Sequence, residues 1–131
     1  MPYIYSRVME LENTAKVGST ECVALVQIYA AAPHTSLWKA GAKLLGNHLI
    51  APGTAIATFV GERYPNRPHG NHAALFIRQD GHGVWVMDQW SGNTAKPLVS
   101  QRVISLKRQH RDGNCFDSSN NAGAFHVIER R

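Results

Sequence analysis

The residue in this sequence best suited to chemistry is Cys22, one of two cysteines in a chain of 131 residues. It follows the small and polar residues Gly18-Ser19-Thr20-Glu21 and directly precedes an apolar run. A thiol is a strong nucleophile as its thiolate, and a helix N-terminus stabilises that anion through its dipole and unpaired N–H groups. The same N–H groups can hold the oxyanion of a tetrahedral intermediate. The position of Cys22 therefore predicts a nucleophile if a base lies nearby, although cysteine in an apolar helix is also a common core residue.

His72 is the best candidate for that base. It follows Gly70-Asn71 and opens an apolar segment, so we expect its imidazole at a sheet edge rather than in the middle of the core. A third group should orient the imidazole and fix its tautomer. Asp88 and Gln89 are both available, and we favour Asp88 because a carboxylate stabilises an imidazolium better than an amide does. The predicted site is Cys22, His72 and Asp88, with Gln89 as the alternative third residue.

The choice between the two depends on the register of a predicted hairpin. A three-residue turn centred on Gly81 pairs His72 with Trp90, and Asp88 then lies diagonally beside the imidazole. A two-residue turn formed by Gly81 and the residue before it places Gln89 directly opposite. The sequence leaves both registers open. Trp90 is more typical of an aromatic residue in the core or at its rim, with the wall of a substrate groove as its alternative role near the site.

Two helices are predicted in the first third of the chain. The first begins near Ser19 or Thr20, whose hydroxyls can cap it, and ends at Pro33. Its residues from Cys22 to Ala32 are apolar on most faces, which indicates a buried helix. The second is predicted over Leu37–Leu45, because its apolar residues fall on one side at helical spacing.

The periodicity then changes to that of β-strands. Strands are predicted at Thr54–Val60, His72–Arg78, Val84–Trp90, Val103–Leu106 and Phe125–Ile128, with a polar loop at Asp112–Gly123. Helices followed by hairpin-connected strands predict an α+β fold, with an antiparallel sheet packed on the buried helix. The length is that of a single domain, residues 1–131.

Composition narrows the functional classes. The chain is 44% hydrophobic and 18% charged, unlike a disordered chain, and has no apolar run of the roughly 20 residues that a membrane span needs. Its start has no basic segment followed by an apolar core, so we expect synthesis in the cytoplasm without a cleavable signal peptide. The net charge of +5 is spread along the chain, with the nearest approach to a patch at Lys107–Arg111. No nucleic-acid motif accompanies the charge, so a soluble basic surface is favoured over nucleic-acid binding.

Metal and cofactor sites have little support. The absence of a Cys-x-x-Cys pair argues against a zinc ribbon. His69 and His72, three residues apart, form a weak ligand pattern with Cys22, because no helix fixes their geometry. A Cys22–Cys115 disulfide would block the nucleophile. We therefore expect no metal, no cofactor and a free Cys22 thiol.

Four segments together resemble a known family. The segment "ECVALV" at the start of the helix, "PGTAIATF" and "GNHAALFI" in two strands and "VWVMDQW" in a third are similar to papain-like cysteine amidases of the NlpC and CHAP type. In its compact size the chain further resembles a type VI secretion amidase effector. The resemblance covers about Gly18 to Trp90.

The resemblance implies cleavage of amide bonds in the peptide stems or cross-links of bacterial peptidoglycan. Cys22 matches the family nucleophile and His72 the family base, whereas the third polar position varies among these enzymes. Such effectors are injected into the periplasm of a neighbouring bacterium, and a cognate immunity protein commonly blocks the cleft. Two alternatives remain at this point: a thiol peptidase that acts on proteins, and a non-enzymatic basic module that binds nucleic acid or another polyanion.

Overall fold

A computed structural model describes residues 1–65, 67, 70–92, 95–107 and 118–131. In these ranges one α-helix precedes a six-stranded sheet. The elements are α1 (Cys22–Tyr29), β1 (Trp38–Lys43), β2 (Ala55–Thr58), β3 (Ala73–Asp80), β4 (Gly83–Asp88), β5 (Ser100–Ile104) and β6 (Phe125–Arg130). The strands form one sheet in the order β1-β6-β2-β3-β4-β5, and every neighbouring pair is antiparallel. The predicted α+β, papain-like architecture is confirmed.

The centre of the sheet, β2 and the first half of β3, is buried on both faces, which explains why these segments are almost continuously apolar. Successive side chains of a strand point to opposite faces. Ala73 and Leu75 therefore join the cluster that contains Leu25 and Val26 of α1. Ala74 and Phe76 join a second cluster on the far side of the sheet. The same alternation in β4 directs the consecutive side chains of Asp88 and Gln89 to opposite faces of the sheet.

The first helix is shorter than predicted and is capped differently. Its N-cap is Glu21, whose extended backbone (φ −77°, ψ 161°) suits the entry to a helix. Thr20 has φ +68°, a left-handed conformation, and therefore cannot be the cap that the sequence suggested. The helix ends at Tyr29, before Pro33, and Ala31 also has positive φ. The helix is buried through Ala24, Leu25 and Val26, as predicted, while Ile28 is 53% exposed.

The predicted second helix, Leu37–Leu45, is wrong: strand β1 occupies most of this segment. β1 pairs with β6, which otherwise presents unpaired backbone groups along that edge of the sheet. Gly41 permits the close approach of β6, because a Cβ at that position would lie 2.6 Å from Glu129 Cγ. Trp38 is fully buried and donates its indole N–H to the Pro33 carbonyl at 2.9 Å. Tertiary pairing thus overrides the helical spacing of the apolar residues.

The hairpin of β3 and β4 has neither of the two predicted turns. Gly81 and His82 form a two-residue turn between Asp80 and Gly83, which are paired. A β-bulge between Phe76 and Arg78 then shifts the register by one residue, so that Leu75 pairs with Met87. Counted onward, this is the register in which His72 lies opposite Trp90. The bulge produces the alignment that we had attributed to a longer turn.

The remaining strands lie near their predicted positions. β2 is shorter at both ends than Thr54–Val60, and β5 begins three residues before the predicted Val103. Part of the predicted polar loop, residues 112–117, lies outside the described residues. The rest of it forms two short 3-10 turns, Ser118–Asn120 and Ala122–Ala124.

Candidate active site

Cys22 is the first residue of α1, and its half-buried thiol is free. The N–H groups of a first helical turn have no carbonyl partner one turn earlier, so they are available to an anion. The thiol lies beside the start of β3, where the Ala73 N–H donates to it. The Tyr64 hydroxyl is 3.8 Å from Sγ. Helix α1 therefore directs the Cys22 side chain toward the end of the sheet where His72 lies.

His72 lies directly before β3 and is 5% exposed. Its backbone N–H donates to Thr58 Oγ1 at 2.9 Å, and Thr58 N–H donates to the His72 carbonyl at 3.0 Å, which ties the residue to the end of β2. Its Nε2 is 2.8 Å from Asp88 Oδ2. Nδ1 is then the ring nitrogen available for the side-chain hydrogen bond with Cys22. The structure thus brings together the predicted Cys22, His72 and Asp88.

The electrostatics of these three groups favour a charged pair. Burial alone would raise the pKa of the Cys22 thiol, but the hydrogen bond and positive charge of His72 lower that pKa below its usual value. Burial alone would lower the pKa of His72, but Asp88 and the neighbouring thiolate raise it to about 9. Against the effect of its own burial, the pKa of Asp88 falls to about 2 beside His72 and two further cations. Both pKa shifts act in the same direction: they favour a Cys22 thiolate beside a His72 imidazolium.

Gln89 lies on the opposite face of β4 from Asp88. Its amide donates to the carbonyls of Val17 at 3.0 Å and Glu21 at 2.8 Å, and its oxygen accepts from the Val17 N–H at 3.0 Å. Because Glu21 is the N-cap of α1, these bonds tie the start of the helix to the sheet. Gln89 therefore holds the element that carries the thiol, and its amide is directed away from the imidazole.

Two cations flank Asp88, and the sequence analysis assigned a role to neither. Arg102 Nε is 2.7 Å from Oδ2, the oxygen that also contacts His72. Lys96 Nζ is 2.8 Å from Oδ1 as an ion pair, and it donates to the Ser100 carbonyl and hydroxyl. The pairing of β4 with β5 explains this, because Asp88 pairs with Ser100 and Arg102 lies two residues further along the same face. Asp88 has no exposed surface and faces Arg102 of β5. This contact can be recognised only once β4 and β5 are paired.

An open groove of about 540 Å³ passes over the thiol. Its walls include Tyr64, Trp90, Gln27 and His34, so Trp90 has the groove position that the sequence offered as its alternative role. The Trp90 ring is 6.2 Å from that of His72, centroid to centroid. Tyr64 packs edge-on against Trp38 and accepts a hydrogen bond from Asn71 at 3.3 Å. The loop that carries Tyr64 was not singled out from the sequence.

Several expectations fall outside the described residues. His69, His110 and Cys115 lie there, so the weak metal pattern, part of the basic patch and the cysteine pair have no structural description. Among the residues that are described, no group of three or more His, Cys, Asp or Glu side chains is placed to hold a metal ion. Within the same ranges, no helix is both long enough and apolar enough to span a membrane.

Comparison with known proteins gives consistent results. The model of a family described as "Domesticated amidase effector 2" matches residues 6–128. A "Type VI secretion amidase effector 2 protein" from Salmonella typhi is 47% identical over 98% of this chain and 100% of its own length. A "Domesticated amidase effector 2" from Ixodes scapularis is 33% identical over 86% of this chain and 73% of its own. A solved structure titled "Type 6 secretion amidase effector 2 (Tae2)" superposes with a TM-score of 0.92 at 45% identity, covering 98% of this chain and 95% of that one.

Proposed function

The chain belongs to the domesticated amidase effector 2 family, and from that membership we propose that it is a type VI secretion effector that hydrolyses amide bonds in the peptide stems or cross-links of bacterial peptidoglycan. Relatives named as amidase effectors match over nearly the whole chain. These matches favour an enzyme over the basic binding module, which no observation on the described residues supports. We propose further that the enzyme acts in the periplasm of a target cell and that a cognate immunity protein covers the groove.

We propose that Cys22 is the nucleophile of this reaction. The observation that carries the proposal is the line of contacts from the thiol through the imidazole to the Asp88 carboxylate at the floor of an open groove. The Cys22 thiolate attacks the carbonyl carbon of the amide, and the carbonyl oxygen becomes an oxyanion. We assign the Cys22 backbone N–H and the Tyr64 hydroxyl, which is 3.8 Å from Sγ, as the donors to that oxygen. Beside Cys22, burial and the thiolate raise the pKa of Tyr64, so its hydroxyl keeps the proton it must donate.

His72 then moves the protons. Its Nδ1–H donates a proton to the amide nitrogen as the C–N bond breaks, and the amine leaves while the acyl group stays on sulfur as a thioester. Water attacks the thioester, and the now neutral imidazole takes the proton of that water. Collapse of the second tetrahedral intermediate releases the carboxylate product and restores the thiolate and imidazolium. Asp88 holds Nε2–H throughout, so Nδ1 stays directed at the reacting atoms.

Digestion of purified peptidoglycan by wild type, Cys22→Ala and Cys115→Ala tests the proposal. The soluble muropeptides are identified by mass spectrometry, which also identifies the bond that is cut. We expect Cys22→Ala to release nothing while it folds normally, and Cys115→Ala, the matched cysteine control, to retain activity. Folded and unfolded proteins incubated in parallel cover the peptidase alternative. Muropeptides released by Cys22→Ala would show that another group is the nucleophile.

A further inference from the structure

A basic layer of two side chains, Lys96 and Arg102, contacts Asp88 behind the proposed site. Asp88 has no exposed surface and contacts three cations when His72 is protonated: His72, Arg102 and Lys96. The Lys96 side chain is 8% exposed. A lysine is rarely buried unless its charge is paired, and here it has a carboxylate and two oxygens of Ser100 as partners.

We propose that Lys96 and Arg102 are positioning residues, which hold the Asp88 carboxylate in place and limit how strongly it binds the protonated imidazole of His72. The catalytic role of Lys96 and Arg102 rests on the proposed function, whereas their contacts with Asp88 do not depend on it. Arg102 and His72 share one oxygen, Oδ2, at 2.7 and 2.8 Å. Lys96 neutralises the other oxygen, so the carboxylate cannot rotate without losing one of the three contacts.

Trp90 connects this layer to the groove. Lys96 Nζ lies 4.9 Å and Arg102 Cζ 5.1 Å from the centroid of its ring, within the range of cation–π contact. The ring edge also lies against His72 and lines the groove. The two cations thus orient the carboxylate behind the imidazole and the indole beside it. Arg102 further donates to Asn120 Oδ1 at 3.0 Å, which fixes its own guanidinium.

The direction in which the pKa of His72 shifts when a cation is removed distinguishes this role from a purely structural one. The titratable groups that face His72 are Asp88 from β4 and Cys22 from α1; Tyr64 faces Cys22, and Lys96 and Arg102 face Asp88. Each cation pairs with the Asp88 carboxylate and so weakens the attraction of that carboxylate for the imidazolium of His72. Removal of either one should therefore make His72 harder to deprotonate, even though activity falls. A residue with a merely structural role would lower activity without moving the titration in that direction.

The experiment follows the His72 imidazole by NMR against pH in wild type, Lys96→Met and Arg102→Gln, with the His72 signal identified by its loss in His72→Gln. We expect each variant to raise the pKa of His72 by about one pH unit, as for one partly screened charge close by. We expect kcat on peptidoglycan fragments to fall roughly tenfold with KM unchanged. Arg102→Lys keeps the charge and should keep the wild-type titration.

Arg78→Gln is the matched control. Arg78 also stacks on a tryptophan, Trp85, and approaches a carboxylate, Asp80, but it lies elsewhere on the sheet and is 52% exposed. It should leave the His72 titration unchanged. If Lys96→Met does not fold, Arg102→Gln carries the test, because Arg102 is partly exposed. A folded Arg102→Gln whose His72 titration is unmoved or lowered would overturn the inference. The titration needs no substrate, so this failure is distinct from a wild type that does not cut peptidoglycan.

Discussion

The contact between His72 and Asp88 should set the alkaline limit of activity, and Asp88→Asn tests this directly. Asparagine has almost the same shape and keeps one oxygen acceptor, but it removes the negative charge that lies 2.8 Å from Nε2. Burial opposes protonation of His72, and the hydrogen bond that its Nε2–H donates to Asp88 is the largest of the effects that raise its pKa to about 9. The variant therefore removes the main support of the imidazolium and leaves the thiol in place.

The expected size follows from the two pKa values. The interval between the ordinary histidine value of 6.5 and about 9 corresponds to about 3 kcal/mol in favour of the protonated ring. A hydrogen bond to a charged group contributes about 1.5–3 kcal/mol. The effects that raise the pKa of His72 exceed this net interval because they also offset burial, and the Cys22 thiolate supplies part of them. We therefore take roughly 2 kcal/mol for Asp88 from the hydrogen-bond range, which lowers the pKa of His72 in the variant by about 1.5.

The assay is the pH profile of kcat/KM on soluble muropeptides from about pH 5 to about pH 10. His72 must be protonated to donate to the leaving amine, so activity falls as the pH rises through its pKa. We expect the alkaline limb to move from near pH 9 in wild type to roughly pH 7.5 in Asp88→Asn. Asp80→Asn, the matched control at an exposed carboxylate, should leave the limb in place. A limb that stays near pH 9 in Asp88→Asn would refute the assignment of the third residue.

The same contact has a consequence for stability. His72 binds its proton more tightly when folded, with a pKa of about 9, than when unfolded, at the ordinary 6.5. Its contribution is therefore fully present below pH 6.5 and is lost as the pH rises through about 9. Asp88→Asn should weaken this dependence, which urea unfolding at several pH values measures.

Three further predictions concern the groove and the framework. Tyr64→Phe should lower kcat by roughly 10²-fold with little change in KM, because it removes one oxyanion donor; steady-state kinetics measure this, and equal kcat values would exclude the role. Gln89→Ala should lower the free energy of unfolding by about 2–3 kcal/mol, since three partly buried hydrogen bonds to Val17 and Glu21 are lost, and should leave the alkaline limb unmoved in any folded protein. Gly83→Ala should cost about 1–3 kcal/mol, because φ is +134° and a Cβ there would overlap the Ile104 carbonyl; Gly81→Ala, where the Cβ has open space, should cost much less in the same denaturation experiment.

The sequence by itself determined the order of the main elements and the two residues with the clearest chemistry. The polar cluster before Cys22 and the apolar run after it predict a helix that begins within three residues of the thiol, because such a start is local. The apolar strands around His72 were visible for the same reason. The errors have equally local causes: Thr20 reads as a cap until its positive φ is known, and residues 37–45 have helical spacing until β6 offers an edge to pair with.

Tertiary structure alone decided which of the two candidates, Asp88 or Gln89, contacts His72, and which side chains surround that contact. The hairpin turn left Asp88 and Gln89 equally placed, and a bulge between Phe76 and Arg78 directs the carboxylate to His72 and the amide to α1. A bulge depends on packing against both faces of the sheet, which no short stretch of sequence encodes. The basic layer of Lys96 and Arg102 depends on β5 pairing with β4, a contact between segments that carry no motif of their own. Local sequence specifies where a helix or strand begins, whereas the neighbours of a buried charge are set by the register between strands.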